Sequence, residues 1–180
     1  DGADYEVLAA DINGDWRADL VERQLSTGLI WYTLNTGAGT PFVNHGTRKL
    51  LGRSKNGPEW RIMLGDFTGD GLADYADQYV PTGTFWIHKN IGGGDPNDPH
   101  DDFFMDNISH VSGQTSAGSN WRTVVADFSG DGYADYADLW VPSGGFWTHN
   151  YIPATQSFVP SGSSSGFGQA DPSKVILGSR

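Results

Sequence analysis

Three short segments of this chain place oxygen-bearing side chains at the same spacing. When each segment is numbered from its first Asp, side-chain oxygens occupy positions 1, 3, 5 and 9, and Gly occupies position 4. A hard cation such as Ca²⁺ takes about six to eight oxygen ligands, which a tight loop supplies from alternate side chains and a main-chain carbonyl near position 7. The spacing therefore predicts three calcium loops, at Asp11–Asp19, Asp66–Asp74 and Asp127–Asp135.

The predicted ligands are the same in kind in every loop. The position 7 residue contributes its carbonyl oxygen and the others contribute side chains. In order along the chain they are Asp11, Asn13, Asp15, Arg17 and Asp19; Asp66, Thr68, Asp70, Leu72 and Asp74; and Asp127, Ser129, Asp131, Tyr133 and Asp135.

An ordinary turn and a helix-flanked calcium loop are the alternatives to this interpretation. A single Asp-Gly segment would be a turn between strands, but three copies with one spacing favour a metal site. An EF-hand or dockerin loop is also conceivable, because Glu22, Asp77 and Asp138 stand at position 12. Those folds need a helix on each side, whereas the residues that follow here are β-branched and aromatic runs ending in a Pro-x-Gly turn.

The loops belong to a longer internal repeat. Trp60–His88 aligns with Trp121–His149, and 18 of the 29 positions are identical. A weaker copy covers Glu6–Thr33. A single domain of three units follows, with boundaries at about residues 1–56, 57–117 and 118–180.

Each unit has the pattern of several short strands. An apolar run precedes the Asp-rich loop, a second extended run follows, and a turn such as Pro81-Thr82-Gly83 leads into an aromatic run. We expect a fourth strand near 43–51, 103–111 and 174–177, and exposed connections over 92–120 and 153–173. Four antiparallel strands repeated about every 55 to 60 residues predict an all-β fold of β-propeller blades.

The loop pattern D-x-[NTS]-G-D-x-x-x-D between two short strands resembles the FG-GAP/VCBS repeat family, which includes integrin α-subunit propellers and fungal propeller lectins. The resemblance covers the whole chain in three copies and implies that positions 1, 3, 5 and 9 are calcium ligands, with about one Ca²⁺ in each blade. Thr68 and Ser129 depart from the usual Asn or Asp at position 3, and Trp16 replaces the common Gly at position 6.

Propellers close with about four to eight blades. Three blades are too few, so we expect either a homo-oligomer that completes the ring or a piece of a longer propeller.

Composition excludes several classes of partner. The net charge of −11 argues against nucleic acid and acidic membranes, which need clustered Lys and Arg. No stretch has the length of a membrane span, and no leader segment opens the chain. The absence of Cys excludes disulfides and thiolate chemistry.

Candidate ligand-binding residues come from the repeated Trp-Arg pairs, Trp60-Arg61 and Trp121-Arg122. An exposed indole can stack on the apolar face of a sugar while Arg satisfies its hydroxyl groups. Three further tryptophans at one repeat position are interpreted mainly as core residues between blades, and His88 and His149 as structural histidines. The three are Trp31, Trp86 and Trp147.

No nucleophile elbow, Walker loop or zinc-protease motif stands in a convincing context, and Gly162–Gly166 is interpreted as a linker. We therefore expect a recognition module and not an enzyme: a secreted, calcium-stabilised protein that binds a glycan or glycoprotein as a lectin does. The alternatives are an accessory propeller of a secreted hydrolase or polysaccharide lyase, and an integrin-like adhesion module.

Overall fold

The computed structural model describes residues 4–37, 48–92 and 111–164. This part of the chain contains twelve strands in three four-stranded antiparallel sheets and no α-helix, which confirms the all-β prediction. Each sheet is a meander in which consecutive strands are neighbours. The first sheet contains β1 (Tyr5–Ala10), β2 (Asp19–Gln24), β3 (Leu29–Thr33) and β4 (Lys49–Arg53). The second contains β5 (Trp60–Gly65), β6 (Asp74–Tyr79), β7 (Thr84–His88) and β8 (Val111–Gln114), and the third β9 (Trp121–Ala126), β10 (Asp135–Trp140), β11 (Gly145–Ile152) and β12 (Ser157–Ser164).

The sheets pack face to face in chain order. The first strand of each sheet adjoins the first strand of the next, β1 beside β5 and β5 beside β9. Because side chains alternate across a strand, the two faces of the second sheet point to different neighbours. Ile62, Leu64 and Tyr75 pack against the first sheet, whereas Met63 and Phe85 pack against the third.

Burial on both faces of the second sheet explains the apolar run Ile62-Met63-Leu64 of β5, in which all three side chains are buried. All but the last residue of β6 is buried, including the carboxylates Asp74 and Asp77. The sequence pattern of a half-exposed strand, with polar residues at every second position, is absent from such a strand because neither face meets solvent.

The predicted turns and the register together position the aromatic strands. Gly83 has a φ of 75°, and a Cβ there would collide with the Thr115 carbonyl oxygen, so only Gly fits. A register shift follows at Phe85/Trp86, and the corresponding shift in the first sheet falls at Ile30/Trp31. Such bulges change the direction in which the neighbouring side chain points.

The fourth strands differ from the prediction. β4 (Lys49–Arg53) and β8 (Val111–Gln114) overlap the ends of the predicted segments 43–51 and 103–111, whose earlier residues 43–47 and 103–110 lie outside the described residues, and the fourth strand of the third unit is Ser157–Ser164. The expected connection holds for residues 153–156, which form the turn between β11 and β12, but is wrong for residues 157–164, which form a strand. The segment 174–177 lies outside the described residues.

Within the described part of the chain, no helix is long and apolar enough to span a membrane.

Candidate functional site

A cavity of about 670 Å³ lies where the first sheet meets the second. Its second-sheet wall carries Trp60, Trp86, Asp77 and His88, and the first sheet contributes the segment after β4. These four residues share one face because Asp77 pairs with Trp86 across strands and Trp60 pairs with Tyr79. The Trp60 and Trp86 rings lie 5.8 Å apart. The site is therefore an aromatic wall above a buried carboxylate.

Hydrogen bonds fix the carboxylate at the base of this cavity. His88 Nε2 lies 3.2 Å from Asp77 Oδ2, and the Ser54 hydroxyl donates to Asp77 Oδ1. Tyr75 stacks on the His88 ring, with centroids 4.4 Å apart and planes 7° from parallel. Ser54 belongs to the first sheet's side of the cavity, so the carboxylate joins two sheets.

A second cavity, of about 470 Å³, repeats this arrangement between the second and third sheets. Trp121 and Trp147 form the wall, with ring centroids 5.3 Å apart. Asp138 and His149 take the places of Asp77 and His88, at a longer separation of 3.8 Å. The two cavities are related by the sequence repeat.

In the second cavity one carboxylate oxygen has no partner among the described residues. Asp138 Oδ2 accepts a hydrogen bond of 2.8 Å from the Ser116 amide, while Asp138 Oδ1 is buried and accepts no hydrogen bond within the described ranges. Burial raises the pKa of Asp138, and the Ser116 hydrogen bonds and His149 oppose that rise. Trp147 is 41% exposed, so its ring is open to a ligand.

The first unit carries a modified version of the same surface. Glu22 pairs across strands with Trp31, as Asp77 does with Trp86. The Arg48 guanidinium lies 4.0 Å from the Trp31 ring centroid and 3.3 Å from Glu22. This indole face is covered by the chain's own side chain.

The structure separates the two members of each predicted Trp-Arg pair. Trp60 and Trp121 line the cavities described above, whereas Arg61 and Arg122 line a different cavity of about 350 Å³ between the first strands. Adjacent residues of a strand face opposite sides of its sheet, which explains the separation. Burial and the charge of Arg122 lower the pKa of Arg61.

The three Asp-rich loops have the same hydrogen-bond pattern. In the second loop Asp66 Oδ1 accepts from the Gly69 and Asp70 amides at 2.6 and 3.1 Å, and Asp66 Oδ2 accepts from Gly71 at 2.7 Å. Asp74 is fully buried and accepts from Thr68 and Asn90. The other two loops repeat these bonds through Asp11 and Asp19 and through Asp127 and Asp135, except that Asp19 accepts from the amide of Ile12 at position 2, where Asp74 and Asp135 accept from position 3.

The loop carboxylates are close enough to influence one another. Burial raises the pKa of Asp74 to about 7, and the charges of Asp70 and Asp66 contribute to the rise. Burial likewise raises the pKa of Asp19, with a contribution from Asp15 and Asp11. In the first two loops the acids therefore repel one another.

The fit of a cation to these loops differs from loop to loop. Thr68 Oγ1, a predicted ligand, is buried and has no hydrogen-bond partner among the described residues, as expected of an oxygen that coordinates an ion. Asp15 is paired with Arg17 and Asp70 with Lys89, whereas among the described residues Asp131 forms no ion pair. In the described ranges no three acidic or His side chains converge closely enough to enclose an ion.

The fold of this chain is similar to that of a protein of known structure. The chain is similar in structure to an Agrocybe aegerita lectin. The TM-score is 0.56 at 20% sequence identity, and the match covers 90% of this chain and 38% of the lectin chain. That lectin is described as specifically recognising non-reducing terminal N-acetylglucosamine. No protein-family model and no curated protein sequence matches the chain.

The Asp and His residues of the two cavities were not predicted from the sequence as members of one site. Asp77 and Asp138 stood out only as position 12 of the loops, and His88 and His149 only as repeated residues. Alternation along the strands could have found them, since Tyr75 and Asp77 are two residues apart and share a face. The side chains that the neighbouring sheet contributes carry no such signal.

Proposed function

We propose that this chain is a carbohydrate-binding, lectin-like module built of β-propeller blades. The observation that carries the proposal is the pair of equivalent cavities between consecutive sheets. Each one sets two tryptophans beside a buried Asp and a His. Concave sites with aromatic walls and a few convergent polar groups are typical of small-molecule binding.

The chemistry of the cavities suits a sugar ring. The C–H face of a pyranose packs on an indole, and its hydroxyl groups need fixed acceptors. Asp138 Oδ1 offers an acceptor that no donor among the described residues occupies. A buried polar atom of this kind is disfavoured unless a ligand or water completes it, so a sugar hydroxyl would satisfy it.

The similarity to a lectin supports this proposal and suggests the first ligand to test. The chain spans 38% of the lectin chain, and the sequence identity is low. We propose terminal N-acetylglucosamine as the first probe.

Calcium and secretion form the second part of the proposal. The repeated oxygen spacing favours Ca²⁺ in the loops. So do the buried Thr68 hydroxyl, which has no hydrogen-bond partner among the described residues, and the Asp131 carboxylate, which forms no ion pair with them. Loop sites of extracellular modules bind Ca²⁺ at about 10⁻⁴ to 10⁻³ M, a range that is filled outside cells. We therefore propose a secreted protein.

Binding of N-acetylglucosamine by calorimetry, followed by a glycan array, tests the carbohydrate proposal. Trp147→Ala and Trp86→Ala should each weaken binding at their own cavity by about ten-fold or more, the equivalent of about 1.4 kcal/mol. Trp16→Ala is the matched control, because Trp16 is 93% exposed and lies outside both cavities.

Two results would contradict the proposal. One is an absence of binding to every glycan on the array by the folded protein. The other is an equal loss of binding in the Trp16→Ala and Trp147→Ala proteins, which would show that the cavities are not where the sugar binds.

A further inference from the structure

The two internal sheet-to-sheet interfaces use one set of contacts. The Ala73 amide donates to the Asp11 carbonyl oxygen at 2.8 Å, and the Ala134 amide donates to the Asp66 carbonyl oxygen at 2.7 Å. In both cases the eighth residue of one loop bonds to the first residue of the preceding loop. Both interfaces therefore have the same arrangement. The loop of the earlier sheet, here called the docking loop, supplies the carbonyl oxygen, and the loop of the later sheet, the receiving loop, supplies the amide.

An apolar side chain at position 2 of the docking loop enters the next sheet. Ile12 packs with Leu64 and Tyr75 of the second sheet and is completely buried. Phe67 packs with Tyr136 and Phe158 of the third sheet and is 1% exposed. This residue anchors each interface.

The third loop carries the same docking residue with nothing beyond it in the described part of the chain. Phe128 occupies position 2 and is 44% exposed, in contrast to Ile12 and Phe67. The Asp127 carbonyl oxygen lies at the position from which Asp11 and Asp66 accept their interface bonds.

The first sheet carries the receiving residues, and the described residues include no sheet before it. Asn90 Nδ2 donates a hydrogen bond of 2.9 Å to the Ile12 carbonyl oxygen across the first interface and one of 3.1 Å to the Ala73 carbonyl oxygen. Its equivalent Asn35 makes the second of these bonds, to the Ala18 carbonyl oxygen at 3.2 Å. The receiving amide is thus already oriented in the first sheet.

A third contact changes from polar to apolar at the open ends. In the interface between the second and third sheets, Gln78 Nε2 donates to Thr123 Oγ1 at 2.9 Å. The repeat places Leu139 and Val7 at the equivalent positions on the open end and the open start, and Val7 is 59% exposed. Two apolar residues are matched where the interface between the second and third sheets has Gln78 and Thr123, and that between the first and second sheets has Arg23 and Ile62.

We propose that the open end of one copy, around Phe128 and Leu139, docks on the open start of a second copy, around Val7, Ala18 and Asn35. Two copies related by a two-fold axis bury both pairs of ends and close a ring of six sheets. The proposal rests on the sheet interfaces and is independent of sugar binding.

Sedimentation velocity and light scattering over a concentration series test this assembly. The expected species has twice the 19.5 kDa chain mass. Phe128→Asp should raise the dissociation constant of the pair by at least about 100-fold, because the anchor is lost at both contacts. Val159→Asp is the control, since Val159 is 41% exposed on the outer strand β12 and should leave the dissociation constant unchanged.

A charge pair tests the register of the contact. Leu139→Lys and Val7→Asp should each weaken association, and the double variant should recover it because Lys and Asp then face each other across the interface. Circular dichroism of each variant establishes that the sheets are intact.

The proposal would be overturned by a wild-type protein that stays monomeric at high concentration or forms open chains of many copies. It would also be overturned if Val159→Asp raised the dissociation constant as much as Phe128→Asp does. The absence of recovery in the double variant would overturn the register. N-acetylglucosamine binding by a dissociated Phe128→Asp chain would show that the carbohydrate site does not depend on the assembly.

Discussion

At the scale of single residues, Trp16 is in an unfavourable backbone conformation. It occupies position 6 of the first loop with a φ of 66°, where the other loops have Gly71 and Gly132 at 86° and 89°. A left-handed conformation costs a residue with a Cβ roughly 1 to 2 kcal/mol, and Gly adopts it without that cost. Trp16 has almost no packing to offset this strain, because its side chain is 93% exposed.

Trp16→Gly is therefore expected to raise the free energy of unfolding by about 1 kcal/mol. Urea denaturation of the two proteins measures the change. Trp16→Ala keeps a Cβ in the same conformation and should bring no comparable gain. A loss of stability in the Gly variant would show that the indole makes a stabilising contact.

At the scale of the strands, one buried arginine joins the first sheet to the second. Arg23, on β2, is completely buried and donates to Glu6 Oε2 at 3.0 Å and to the Trp60 and Lys55 carbonyl oxygens at 2.9 and 2.8 Å. Burial raises the pKa of Glu6 in spite of the charge of Arg23 beside it. The equivalent Gln78 makes the corresponding contact to the third sheet with a neutral amide.

Arg23→Ala should lower the free energy of unfolding by about 3 to 5 kcal/mol, since it leaves a largely buried carboxylate and several carbonyl groups without their donor. Arg48→Ala is the matched control, because it removes a partly exposed Arg–Glu pair worth at most about 1 kcal/mol and a cation–π contact with Trp31 worth about 0.5 to 1 kcal/mol. Urea denaturation at neutral pH compares the two. Similar losses in both variants would contradict the role assigned to Arg23.

At the scale of the whole molecule, much of the acidic charge lies between the first and second strands of each sheet. Nine of the 22 acidic residues lie in the three loops, and each loop has a buried carboxylate at its end. Repulsion among these acids opposes folding unless protons or a cation compensate it. Calcium binding would therefore act on the stability of all three sheets.

Calcium at about 100 times its dissociation constant should stabilise the fold by about 2.7 kcal/mol for each filled loop. We expect the melting temperature to be higher by roughly 5 °C or more in millimolar Ca²⁺ than in a chelator. Asp131→Asn should reduce this difference, because Asp131 is a predicted ligand that no described ion pair occupies. Equal melting temperatures in Ca²⁺ and chelator would refute the calcium proposal.

The repeat, the all-β class and the turns could be predicted because they depend on local patterns. The positions of Gly83 and of the three loops follow from residue types that a turn requires. The strand β12 could not be predicted in this way, since Ser and Gly dominate it. Main-chain bonds to β11 and the packing of Phe158 against Tyr136 hold this strand in place.

The amino-acid sequence by itself determined three equivalent units and their acidic loops, because a repeat specifies the same local conformation each time. Only the tertiary structure decided which face each Trp and Arg occupies and that Asp77 meets His88 and Ser54 beneath an aromatic wall. The reason is physical: the cavities lie between sheets, and their shape depends on how two units pack. The exposure of Phe128 likewise follows from the absence of a sheet beside it in the described chain.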